Sequence, residues 1–199
     1  MTSMLERLRS ARAVSLAGEQ EAEEGFTLIE LMVVLLIMGI LLAIAIPTFL
    51  GVTGSAKDKG AQSDLTNADT TGKVFYENNV SYIAATDSSP MSTGYLQSAE
   101  PQLQFVAQGA ANSAKNQVWL AVSTNGNGNS AMYGTWSPTG VCWFLVDNEG
   151  GTNSSMSAWG SPSPGTHYGY TVVANAGGCV PGNPQSGWGT TWPAAPAGK

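Results

Sequence analysis

Charged side chains are scarce in this chain: Asp, Glu, Lys and Arg together make up 11% of its 199 residues. Acids outnumber bases 14 to 8, and the bases form no cluster. That argues against an electrostatically driven nucleic-acid binder, which needs Lys and Arg grouped on one face. No direct nucleic-acid site is evident. Histidine occurs once, at His167, and cysteine twice, at Cys142 and Cys179. One histidine and two cysteines do not make a usual zinc site. No strand–turn nucleophile motif and no phosphate-cradling glycine loop occurs. The residues therefore suggest no catalytic group, no metal and no cofactor, and His167 reads as an ordinary exposed side chain. Asp147, Asn148 and Glu149, followed by two glycines, carry oxygens of the kind calcium takes. The same residues also make a plain turn, the simpler reading.

What the chain does have is one long apolar run. Phe26 to Val52, FTLIELMVVLLIMGILLAIAIPTFLGV, carries a single charge, Glu30, and nothing polar lies between Leu31 and Ile46. A membrane-spanning helix needs about 20 mostly apolar residues, so the run is long enough with some to spare. Before it stand Arg7, Arg9 and Arg12, then Glu19, Glu21, Glu23, Glu24 and Gly25. Basic residues ahead of a first span favour a cytoplasmic N-terminus. An ordinary secretory signal would use Ala43-Ile44-Ala45 as its cleavage site. Glu30, Pro47 and the acidic stretch fit that poorly. A plain anchor explains the length but not a carboxylate in the apolar run, which costs a few kcal/mol.

The order Gly25-Phe26-Thr27-Leu28-Ile29-Glu30, followed at once by the apolar run, resembles a type IV prepilin with its class III signal peptide. The resemblance is close over residues 25–60 and covers only the general layout beyond. It implies cleavage between Gly25 and Phe26 by a membrane peptidase that also methylates the new amine. A mature chain of 174 residues (199 minus 25) would remain. It implies that Phe26 and Glu30 are the assembly residues. Glycine at the cut lets a peptidase approach the backbone closely. The freed amine would be a cation at a helix N-terminus, an unfavourable place that a neighbouring copy's Glu30 would relieve. Gly39 and Pro47 also match family positions and mark the expected helix break, because glycine weakens a helix and proline removes a donor.

Beyond Thr48 the helix turns amphipathic. Ala61, Leu65, Ala68, Gly72, Phe75 and Asn79 recur at helical spacing on one face, with Asp58, Asp64, Asp69, Lys73 and Glu77 expected largely off it. A helix from about 26 to about 80 is predicted. Strands are predicted at Gln117–Ser123, Cys142–Asp147 and His167–Ala174, with a further short one at Met132–Trp136. The sheet should bury one side on the helix and leave the other exposed. If the C-terminal part lies outside the cytoplasm, Cys142 and Cys179 pair, closing a loop of about 38 residues worth roughly 4 kcal/mol at best. Trp188 and Trp192 are expected to dock on the domain.

The expected fold class is α+β: a long N-terminal α-helix, half transmembrane and half amphipathic, against a C-terminal antiparallel β-sheet, as in the pilin fold. The expected divisions are a cleaved leader (1–25), a filament-core helix (26–52) and its amphipathic half (53–83). A connecting segment (84–115), a sheet head with a disulfide-bonded loop (116–180) and a tail (181–199) follow. The resemblance implies a non-enzymatic filament subunit for adhesion, motility or DNA uptake. Its implied partners are copies of itself in a homopolymer, a prepilin peptidase/methyltransferase, a membrane assembly platform with a cytoplasmic ATPase, and minor pilins. The bilayer would hold it before assembly and the cell surface afterwards. A type II secretion pseudopilin shares the motif. A binding protein or enzyme that uses the apolar run only for export is the alternative of another class.

Overall fold

The computed structural model describes residues 25–83, 91–106, 117–123, 128–150, 158–160 and 162–196. The leader, except Gly25, lies outside them, as do parts of the connecting segment. The chain divides at Pro47 into two compact units, 1–47 and 48–199. Helix α1, Leu28–Asn79, runs through the division. In the first unit every described residue is exposed, including Leu35, Leu41 and Ile44.

In the second unit α1 packs on a five-stranded sheet. The strands are β1 (Gln104–Val106), β2 (Gln117–Val122), β3 (Ser130–Ser137), β4 (Val141–Asn148) and β5 (Gly165–Val172), in that spatial order. β2 to β5 form an antiparallel meander, and β1 joins β2 in parallel with Phe105 opposite Val118. The β3–β4 hairpin closes through Gly140, whose φ of 86° suits the left-handed position that glycine takes without strain. Each of the four expected strands is present, with ends within two residues of those expected.

Two elements escaped sequence reading. Helix α2, Thr93–Ala99, is capped by Ser92, whose hydroxyl accepts from Tyr95 N at 3.2 Å. It has only seven residues and contains a glycine, so its pattern is too short to register. Strand β1 is pinned by Gln97, which donates to Leu103 O at 2.7 Å and accepts from Phe105 N at 3.0 Å.

The α1 face buries Ala61, Leu65, Ala68, Gly72 and Phe75, and also Asp58, Gln62 and Asp69. The expectation that Asp58 and Asp69 lie off the stripe is thus corrected. Their carboxylates are tolerated because the sheet supplies donors for Asp58 and α1 supplies a cation for Asp69. Against this face stand Val118, Leu120, Tyr133, Val141, Trp143 and Leu145.

The other sheet face is covered rather than exposed, a second correction. Trp119, Ala121, Met132, Cys142, Phe144 and Val146 form a second core with Trp159 and Cys179. The cause is covalent. Cys142 in β4 is bonded to Cys179, 37 residues on, with their Cα atoms 5.3 Å apart. That bond holds the segment after β5 over the face. The chain then returns along the outer edge of β5, where Tyr168 and Gly189 exchange backbone hydrogen bonds of 2.8 and 3.0 Å. Trp188 and Trp192 dock on opposite faces. Trp188 donates to Trp159 O, while Trp192 packs 4.5 Å from Tyr168 and 5.9 Å from Trp143, ring centre to ring centre. A covered edge no longer offers unpaired backbone to another strand.

Gly72 sets the closest approach of helix and sheet, because a Cβ there would overlap the Tyr133 hydroxyl. Gly72→Ala should lower stability by about 1–3 kcal/mol. Tyr133→Phe in the same chain should recover part of that loss. Thermal unfolding of the single and double variants checks both.

Candidate processing and assembly site

Gly25, Phe26 and Thr27 precede α1 as non-helical residues, and no atom lies within 4 Å of where a Cβ on Gly25 would stand. Phe26 is 81% exposed. Thr27 and Glu30 close a reciprocal cap. Thr27 N and Thr27 Oγ1 each donate to Glu30 Oε2 at 3.1 Å, and Glu30 N donates to Thr27 Oγ1 at 3.3 Å. This is a capping box, with a hydroxyl at the cap and a carboxylate three residues on. The Thr-x-x-Glu spacing was in the sequence, but Thr27 was not singled out there. The arrangement gives Glu30 two donors from its own chain and places its negative charge in the first turn, where the helix dipole favours it. A carboxylate in the apolar run therefore has an intramolecular partner before it meets any other molecule.

Gly39 and Pro47 lie inside the unbroken α1. The expected interruption is not seen in this state, and any loss of helical bonds there belongs to another one. His167 is buried, not exposed, with its Nε2 3.2 Å from Ser163 Oγ. It faces the side of β5 that the C-terminal segment and residues 162–163 cover, which sequence pattern did not foretell. Asp147 and Asn148 end β4 rather than forming a turn, and both are buried. Asn148 accepts from Ser130 Oγ at 3.0 Å and donates to Pro162 O at 3.0 Å. Among the described residues no group of three or more His, Cys, Asp or Glu is placed to hold a metal ion.

Two polar clamps fasten α1 to the sheet. At the first, Asp58 Oδ1 accepts from Thr139 Oγ1 at 2.6 Å and from Trp143 Nε1 at 3.3 Å. At the second, Lys73 Nζ lies 2.9 Å from Asp69, 3.4 Å from Asp147 and 2.9 Å from Thr166 Oγ1. Asp147 also accepts from Tyr82 and from Thr166 Oγ1 at 3.0 Å. Burial pulls the Lys73 pKa down, but the two carboxylates outweigh it and raise it. Burial, reinforced by Asp147, pushes Asp69 up to about 6 against the pull of Lys73. Burial first, then neighbouring groups including Asp147, also raise Tyr82 and Tyr133, so both remain neutral phenols.

Residues 22–46 match the prokaryotic N-terminal methylation motif. The match spans the acidic end of the leader, the Gly25–Phe26 junction, Glu30 and the apolar run to Ile46. The chain has no significant match among curated proteins or solved structures. The motif and the α+β fold together support a type IV pilin-like or pseudopilin-like protein with a prepilin signal, and the apolar helix is consistent with membrane anchoring.

Asp69 carries a pH dependence with a definite sign. Its folded pKa lies above its ordinary value of 3.8, so the folded state binds the proton more tightly. The associated stability is complete below about pH 4 and is lost as pH rises through 6. The loss is on the order of 2–3 kcal/mol. Asp64 and Glu149 shift in the same direction, so a smaller slope persists without it. Asp69→Asn should flatten the fall of the melting temperature between pH 4 and pH 7, measured by circular dichroism.

Proposed function

We propose that the chain is a structural subunit of a type IV pilus. It is cut after Gly25, methylated on Phe26, held in the cytoplasmic membrane by residues 26–52, and then polymerised through that helix into an extracellular filament. The observation that carries this reading is the methylation motif joined to a helix whose entire apolar circumference is open: Phe26, Leu28 and every large apolar residue from Ile29 to Val52 is at least 48% exposed. Such a surface requires lipid or other copies of itself. Both environments are equally apolar, so transfer between them is nearly balanced and direction must come from packing and polar pairs.

Glu30 supplies such a pair. In the single chain it is capped by Thr27. Cleavage creates an amine on Phe26, one residue before that cap. In the filament the carboxylate of one copy neutralises the amine of the next and sets their axial register, since an unpaired charge in an apolar core is costly. A prepilin peptidase/methyltransferase, a membrane platform and a cytoplasmic ATPase are the machinery this cycle requires. The Cys142–Cys179 bond suits an oxidising exterior. Loss of helical bonds between Gly39 and Pro47 on assembly is part of the same reading. A pseudopilin of a type II secretion system would share the motif and the cut, and would form a short piston instead of a long fibre.

Glu30→Gln should leave the protein stable and membrane-inserted while filament yield falls at least tenfold, scored by electron microscopy of sheared surface material. Abundant normal filaments from this variant would remove the pairing from the mechanism. N-terminal sequencing of wild-type material should read methyl-Phe26. A start at Ile46 would instead indicate ordinary secretion, and short stubs in place of long fibres would indicate the piston.

A further inference from the structure

A groove lies beside α1 in the second unit. Ala56, Gly60, Ala61 and Asp64 of α1 face Thr135 and Pro138 at the hairpin end of β3 across a space of about 320 Å³. Asp64 is half-buried there and has no ion-pair or hydrogen-bond partner among the described residues. Burial raises its pKa, as expected for a carboxylate with no cation beside it. The other two acids that α1 buries, Asp58 and Asp69, both have partners. The groove therefore holds one unmatched acid among small apolar walls.

Three cations lie along α1: Lys57, Lys59 and Lys73. Lys73 serves the second clamp. Lys57 is seven residues from Asp64, about 20° round the helix, so the two share a side. Lys59 is five residues from Asp64, about 140° round, on a largely opposite side. Lys59 is exposed, donates to Gln62 Oε1 at 3.0 Å, and meets no carboxylate among the described residues. A filament of identical chains is built from head-to-tail contacts. In these each copy offers one patch to the copy ahead and a different patch to the copy behind. Lys59 and Asp64 are placed as two such patches, and Lys57 and Asp64 are not.

The register agrees. Pairing the Phe26 amine of one copy with Glu30 of another shifts the copies by four residues, about 6 Å along α1. Pairing Lys59 with Asp64 shifts them by five, about 7.5 Å. The direction is the same, because in each pair the cation has the lower number. The difference of about 1.5 Å is within reach of lysine's flexible four-carbon stem. A shift of five also brings Val52 level with residue 57 of the neighbour, between Ala56 and Gly60. Val52 is 67% exposed and lies seven residues before Lys59, on the same side of α1.

We propose that the groove of one copy seats the Val52–Lys59 side of α1 from the next copy, with Lys59 paired to Asp64 and Val52 against Ala56 and Gly60. The proposal rests on the filament reading above and names a second contact that sets its register. Apolar packing is non-directional, so the open surface of α1 fixes no register of its own. Two ion pairs that demand one shift do.

The full chain is expressed in cells that assemble it, and sheared filaments are compared with total subunit by immunoblotting. Lys59→Glu and Asp64→Lys should each lower the sheared fraction roughly tenfold, since like charges then meet in a partly desolvated groove. The double variant should recover to within about threefold of wild type. Lys57→Glu should change the fraction by less than about twofold. Gly60→Leu meets no atom within 4 Å of its Cβ and favours the helix, yet fills the groove. It should lower the fraction as far as the single charge reversals do. In wild-type filaments a carbodiimide should join Lys59 of one copy to Asp64 of another, seen as a ladder on denaturing gels and identified by peptide mass spectrometry. Single reversals that assemble like wild type would overturn the proposal, as would a Lys57–Asp64 cross-link in place of Lys59–Asp64. So would a stably expressed double variant that assembles no better than the singles. Each of these outcomes leaves the filament reading intact. Absence of long filaments from wild type would overturn that reading and the groove contact with it.

Discussion

Between Leu31 and Ile46 helix α1 carries no polar side chain, and its surface there is exposed on all sides. A surface of that length and composition suits lipid or packing against identical helices. The single carboxylate at its start would be intolerable in either setting without donors. Thr27 supplies two of them within the same turn. The capping box thus does two things at once: it closes the helix terminus and gives the Glu30 carboxylate two hydrogen-bond donors. In the filament proposed above, Glu30 would exchange partners on assembly and not acquire its first one there.

The second unit answers a different demand, which is to hold one face of α1 firmly against a sheet. Apolar burial by Leu65, Ala68 and Phe75 supplies the bulk of the contact. The clamps at Asp58 and at Lys73 fix where along the sheet the helix sits, because each has partners at only one register. The far face is closed by a segment tethered through Cys142–Cys179, and the edge by residues around Gly189. Both sheet faces are consequently dry, and all eight residues of β4 are buried.

Much of this was legible in residue order. The motif around Gly25 is local, and the helix of the apolar run needs nothing but its own length and composition. The four antiparallel strands announced themselves through Val, Trp, Phe and Tyr between turn residues. What stayed hidden depends on partners far away in the chain. A strand alternates sides, and the side that carries Met132, Phe144 and Val146 was expected to be open because nothing nearby in the chain covers it. Their cover comes from Trp159 and Cys179. His167 was misplaced for the same reason. Asp58 and Asp69 looked like surface charges, because the donors to Asp58 are Thr139 and Trp143, and Asp69, although Lys73 is one turn away, is buried beside Tyr133 and Asp147 of distant strands.

The sequence alone determined the methylation motif, the apolar helix and the strand-forming segments, since each follows from residues within a few positions of one another. Only the tertiary structure decided which charges are buried and that the sheet is covered on both faces. Those depend on donors and covers brought together from residues tens of positions apart, and no local pattern encodes that meeting.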